Sequence, residues 1–171
     1  MGAGKHTQED FNDEMNDLEV GIEREQECRA FYTEAAERCA DPRVKELYAW
    51  FASAATARIA TLEAVRIAAA ESQAWADGIA DQIKAADATV GPPPVFDETN
   101  GHKPGRDEIT TLRQAIELEK EVASIYFTAA QRSRESNIRA FYRYLGPAEE
   151  AHKQLLEGYF DGCMRAAIKK K

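Results

Sequence analysis

The chain has 171 residues, 44% of them hydrophobic, and 22 Lys plus Arg stand against 30 Asp plus Glu, a formal net charge of −8. That length fits a single domain, and an acidic surface with a pI near 5.0 repels nucleic-acid phosphates and anionic membranes, so neither is expected as a partner. No run approaches 18 apolar residues and Cys28, Cys39 and Cys163 show no CxxC spacing, which argues against a spanning helix, a disulfide framework and a four-thiolate metal knot.

The elements follow in chain order. The first residues carry no apolar stretch after their charges, so no secretion signal is expected and the location is read as cytoplasmic. Thr7 with Asp10 fits a capping box for a first helix from about residue 8 to Cys39. Asp41-Pro42 stops it and opens a second helix, expected to reach Asp77-Gly78 and to be followed by a short helical piece through Ala86. Gly91, Pro92, Pro93, Pro94, Gly101, Pro104 and Gly105 then cluster in one stretch, read as a linker over 87–106. Asp107 can cap a third helix running to about Arg132, and a fourth is expected from about Ser136 to Ala167, with Lys169 to Lys171 suiting its C-terminal dipole. Gly146-Pro147 is expected to break or kink that helix, because Pro147 cannot donate to the Arg143 carbonyl and its ring crowds it.

The chain also aligns with itself, ungapped, at an offset of 94 residues: GIEREQECRAFYTEAAER (21–38) lies over AIELEKEVASIYFTAAQR (115–132), and Tyr48, Ala54, Ala57 and Leu62 lie over Tyr142, Ala148, Ala151 and Leu156. A doubled helical hairpin (8–86 and 107–168) with a long connection predicts an all-α, single-domain four-helix bundle with a crossover.

Four seams then run along the helices, and each carries residues that do not belong in a core. The first reads Phe11, Met15, Leu18, Ile22, then Glu25 and Tyr32; the third reads Leu112, Ile116, then Glu119 and Tyr126. The fourth reads Ile138, Tyr142, Leu145, Glu149, His152, Leu156, Tyr159, and its counterpart on the second reads Val44, Tyr48, Phe51, Ala55, Arg58, Leu62. Three carboxylates inside an apolar bundle need compensating cations or hydrogen bonds. Glu-x-x-His on one helix, at Glu149 and His152, offers an oxygen and a nitrogen to one ion, and single glutamates from facing helices add to the set.

These residues, with LEKEVASIYFTAA followed by EEAH, resemble the rubrerythrin and ferritin-like di-iron carboxylate family over nearly the whole chain apart from the first dozen residues and the linker. The resemblance implies a ferritin-like bundle, metal ligands at Glu25, Glu119, Glu149 and His152, iron-dependent oxidoreductase chemistry on peroxide or oxygen, and a homodimer. Two departures qualify it. Ala55 and Arg58 stand where the family's other Glu and His belong, so one half-site is degenerate, and the missing CxxC pairs mean no rubredoxin-like module, so redox activity would need a separate electron donor. Glu25, Glu119 and Glu149 (−3), Arg58 (+1) and one divalent ion (+2) sum to zero. The expected site therefore holds one ion per chain, iron first with manganese or zinc admissible, and the Arg58 guanidinium stands in for the other metal by pairing with Glu25 and one Glu149 oxygen.

Alternatives stand beside these readings. The cluster is also consistent with a metal-free relic serving as an interaction module, Glu25 with a surface charge run, and Arg58 with a side chain that snorkels to water. Tyr32 and Tyr126 can hydrogen-bond a ligand carboxylate two turns away on their own face or simply fill core. Cys28 reads as an inert buried thiol, with a place in the vacated half-site as the alternative. His6 and His102 read as solvent residues, Trp50 and Trp75 as packing or oligomer contacts.

Overall fold

A computed structural model describes residues 5–95 and 103–168, which form an all-α bundle. His102 and the Lys169–Lys171 helix terminus fall outside that range. Five helices occur among the described residues: α1 (Gln8–Arg38), α2 (Pro42–Ser72), α3 (Ile79–Val90), α4 (Arg106–Arg132) and α5 (Ser136–Ile168). α1 packs along α2 and α4 along α5; α1 also meets α4, and α3 lies against α2 and α5. None of these helices is long and apolar enough to cross a membrane.

The local signals explain most of the boundaries. Thr7 and Asp10 form the capping box at the start of α1, each side chain bonding the other's backbone N–H. Asp41 accepts from the Arg43 and Val44 amides, with Pro42 at the first helical position of α2. α4 differs from expectation: Gly105 is its N-cap without a side-chain bond, and Asp107 lies inside the first turn with Glu108, where carboxylates favour the dipole.

α2 ends at Ser72, earlier than expected, because Gln73 turns into the left-handed region at φ 55°. The turn it opens puts Trp75 into the core against Phe11, with ring centroids 5.4 Å apart. Trp75 Nε1 donates to Glu14 Oε2 at 2.7 Å, and Glu14 Oε1 accepts from the Arg134 and Glu135 amides at 2.9 and 3.1 Å. Glu14, one residue off the expected seam, is thus a buried carboxylate satisfied by four donors once His6 Nε2, 2.9 Å away, is counted. Trp75 is a core anchor, and His6 is tied to Glu14, a correction to its reading as a solvent residue.

α3 is a full helix through Val90 with Ile79 and Ile83 buried beneath it, so the connection begins at Gly91 and not at residue 87. α5 continues unbroken through Pro147, which corrects the expected break. A proline inside a helix costs about 3 kcal/mol, but Phe141, Tyr142, Leu145 and Leu156 bury themselves on both sides of it and offset that cost. Gly146 lies under the Phe127 ring, where a Cβ would stand 2.8 Å from Cδ1.

Candidate metal centre

The seam residues converge on the bundle interior. Glu25 on α1, Arg58 on α2, Glu119 on α4 and Glu149 on α5 are each 2% exposed, and His152 on α5 turns inward with 14% of its side chain exposed. All five line one cavity of about 10 Å³, with Ala55 and Cys28 in its wall, the size of a single water or ion. Arg58 therefore points inward, and Glu25 does not belong to the surface.

One half of this cavity has the geometry of a ligand set. His152 Nδ1 lies 3.2 Å from Glu149 Oε2 and 3.5 Å from Glu119 Oε2. Donors about 2.1 Å from a shared divalent ion are themselves about 3.0 to 3.5 Å apart in octahedral or tetrahedral geometry, and both separations from His152 Nδ1 fall in that range. Glu119 Oε2 is buried and accepts no hydrogen bond, a position that is costly unless a cation occupies it. Glu119, Glu149 and His152 could together hold a metal ion.

The other half is filled by the guanidinium, and its chief partner is one the sequence reading placed in the linker. Arg58 Nε and Nη2 form a fork on Asp87 of α3, each at 3.0 Å, and Tyr144 Oη donates to Asp87 Oδ2 at 2.7 Å. Arg58 Nη1 meets Glu149 Oε1 and stands 3.9 Å from Glu25 Oε1. Pairing with Glu149 is as expected; with Glu25 it is long-range, and Asp87 takes the fork. Burial disfavours charge on Arg58, yet Glu25 and Asp87 outweigh it and hold the group firmly protonated. Burial likewise raises the Asp87 carboxyl, and the Arg58 fork and Tyr144 hydroxyl more than reverse this, leaving it below the usual range. Glu25 has no such fork: burial pushes its carboxyl up to about 7 and Glu119 adds to the rise, against the opposing pull of Arg58 and the Tyr126 bond. With Asp87 included, four carboxylates and one guanidinium give −3, so one divalent ion and one proton on Glu25 restore neutrality.

The tyrosines bond carboxylates across the bundle and not along their own helices. Tyr32 Oη on α1 donates to Glu119 Oε1 on α4, and Tyr126 Oη on α4 donates to Glu25 Oε1 on α1 at 2.9 Å. The 94-residue repeat thus becomes a near two-fold exchange. Its aromatic surroundings repeat as well, since Tyr32 stacks on Tyr48 and Tyr126 on Tyr142, both at 6.1 Å between centroids. Burial, with the facing glutamates, lifts both site hydroxyls well above the ordinary tyrosine range, so each remains a donor. Gly21 gives the Tyr126 ring its room: a Cβ there would stand 3.0 Å from Cε1 and 3.3 Å from Oη. Tyr126 is fully buried and its hydroxyl is anchored on Glu25, which resists a shift of the ring. Gly21→Ala should therefore lose about 1–2 kcal/mol in denaturant unfolding, where helix propensity alone would gain about 1.

Cys28 lines the cavity and Trp50 stands behind it, against His152. Burial, then Glu119 and Glu25, drive the Cys28 thiol far above its ordinary value, so it lines the cavity as a neutral S–H. Trp50 sets its ring edge-on to His152 at 5.3 Å, and its Nε1 donates to the Gly91 carbonyl at 3.2 Å, joining α2 to the end of α3. Packing is thus its role, but packing against a site residue. Asp87 escaped the sequence reading because α3 has no counterpart in the repeat, though its own helical spacing was visible in IADQIKAADATV. Comparison of the chain with protein-family models, with curated proteins and with solved structures finds no match.

Proposed function

We propose that this protein is a rubrerythrin-like, ferritin-like metal-binding bundle that holds one divalent ion per chain on Glu119, Glu149 and His152. The observation that carries this reading is the buried, unbonded Glu119 Oε2 facing Glu149 Oε2 and His152 Nδ1 across a cavity one ion wide. Two carboxylates and an imidazole admit iron, manganese or zinc, and iron is the proposed occupant on the resemblance alone. Bound iron would supply one-electron redox chemistry and Lewis acidity toward peroxide or oxygen. The chain's own residues do the rest: Tyr32 fixes Glu119, Arg58 fixes one oxygen of Glu149, and the aromatic wall of Trp50 and Phe51 orients His152. One iron exchanges one electron, so peroxide reduction by this site calls for a separate electron donor. A homodimer is part of the proposal, on the resemblance alone.

A metal-free interaction module is the competing reading, in which Arg58 and the proton admitted by the rise of Glu25 to about 7 meet half of the four carboxylate charges and hydrogen bonds meet the rest. Elemental analysis of protein purified without chelator separates the two. One ion per chain is expected; none would leave the module, and two would overturn the single-ion site. His152→Ala should weaken binding by at least about 100-fold, read by equilibrium dialysis with Mn²⁺.

A further inference from the structure

The guanidinium of Arg58 sits within reach of a metal-ligating carboxylate, and an unrestrained arginine there would compete with the ion for it. Arginine prefers to grip a carboxylate with two parallel N–H bonds. Glu149 offers two oxygens, and the site needs Oε2 turned toward His152 Nδ1, 3.2 Å away. What keeps the guanidinium from taking both is Asp87. Its fork at 3.0 and 3.0 Å consumes Nε and Nη2, and leaves only Nη1 for Glu149 Oε1. Asp87 is itself held by the Tyr144 hydroxyl at 2.7 Å, and its helix is tied to α2 by Trp50 Nε1 on the Gly91 carbonyl.

We infer that Asp87 is a positioning residue for the metal half of the site: by occupying the fork of Arg58 it splits Glu149, Oε1 to the guanidinium and Oε2 to the ion, although it touches no ligand atom of the ion. The inference rests on the single-ion reading. It assigns to α3 a task beyond packing, since the helix delivers the one carboxylate that disarms a neighbouring cation. Removing Asp87 lets Arg58 swing its fork onto Glu149 and closes the metal half.

Mn²⁺ and Co²⁺ titrations of wild type, Asp87→Asn, Arg58→Met and the double variant test this. Asparagine keeps the size and the Tyr144 partner while losing the charge. Asp87→Asn is expected to bind Mn²⁺ about 10- to 100-fold more weakly than wild type and to shift the Co²⁺ visible bands, with helix content unchanged by circular dichroism. In the Arg58→Met background the same substitution should change affinity less than threefold, a coupling that simple loss of packing would not produce. In the metal-free protein, the slowly exchanging Arg58 Nε–H resonance of wild type should be lost in Asp87→Asn. Wild-type affinity in Asp87→Asn, or an equal loss with and without Arg58, overturns the role of Asp87 and leaves the metal site standing. A wild type that takes up neither ion removes the site and the inference together.

Discussion

Arg58→Met is expected to destabilise the metal-free protein by about 3–5 kcal/mol, the cost of leaving buried carboxylates without their counter-charge. Arg58 is 2% exposed and in contact with Asp87, Glu149 and, at longer range, Glu25, so its removal strands three acids at once. Methionine keeps the apolar stem as far as the position of Nε and leaves a void where the guanidinium stood, so a cavity cost adds to the electrostatic one. The deficit should shrink when a divalent ion is supplied, since +2 then offsets charges that +1 no longer meets. Urea unfolding with chelator and with excess Mn²⁺ measures both arms. A loss under about 1 kcal/mol with chelator would show that the acids are neutralised by other means.

The second large effect concerns capacity. Ala55 and Arg58 occupy the positions that correspond, through the 94-residue offset, to Glu149 and His152, and all four line the same cavity. Ala55→Glu with Arg58→His should raise binding from one ion per chain toward two. The double change replaces a fixed cation with a carboxylate and a neutral donor, so the cluster shifts by two negative charges and has room for a further +2. Neither single change is expected to do this: Ala55→Glu alone adds a carboxylate against a guanidinium that would pair with it, and Arg58→His alone lacks the oxygen. Elemental analysis after Mn²⁺ loading and gel filtration gives the answer directly, and a stoichiometry of one for the double variant would count against the equivalence of the two halves.

How far the site could be read from the sequence varied with how each residue announces itself. Glu25, Glu119, Glu149, Arg58 and His152 interrupt apolar seams, and a charged residue in such a seam has few alternatives to facing inward, so their convergence was legible. Asp87 was not: it belongs to a helix outside the repeat, next to a Pro- and Gly-rich stretch, and its burial depends on α3 folding back over α2 and α5, a tertiary event that no local spacing encodes. Glu14 was hidden for a different reason. It lies one step beside the seam and is drawn in by two backbone amides and the Trp75 indole, partners supplied by turns distant in sequence. Pro147 misled in the opposite direction, because a local rule about one lost hydrogen bond was set against burial on both sides of it. The exchange of tyrosines between halves also lay beyond a helix-by-helix reading, which relates each side chain only to its own axis.

That exchange makes the two halves interdependent. Because Tyr32 serves Glu119 and Tyr126 serves Glu25, neither copy of the duplicated unit is self-sufficient. The half that carries Ala55 and Arg58 furnishes the hydroxyl that Glu119 in the other half accepts. A change at either tyrosine therefore acts on a carboxylate in the other half, and separating the two halves as free fragments would strip each of the donor it borrows.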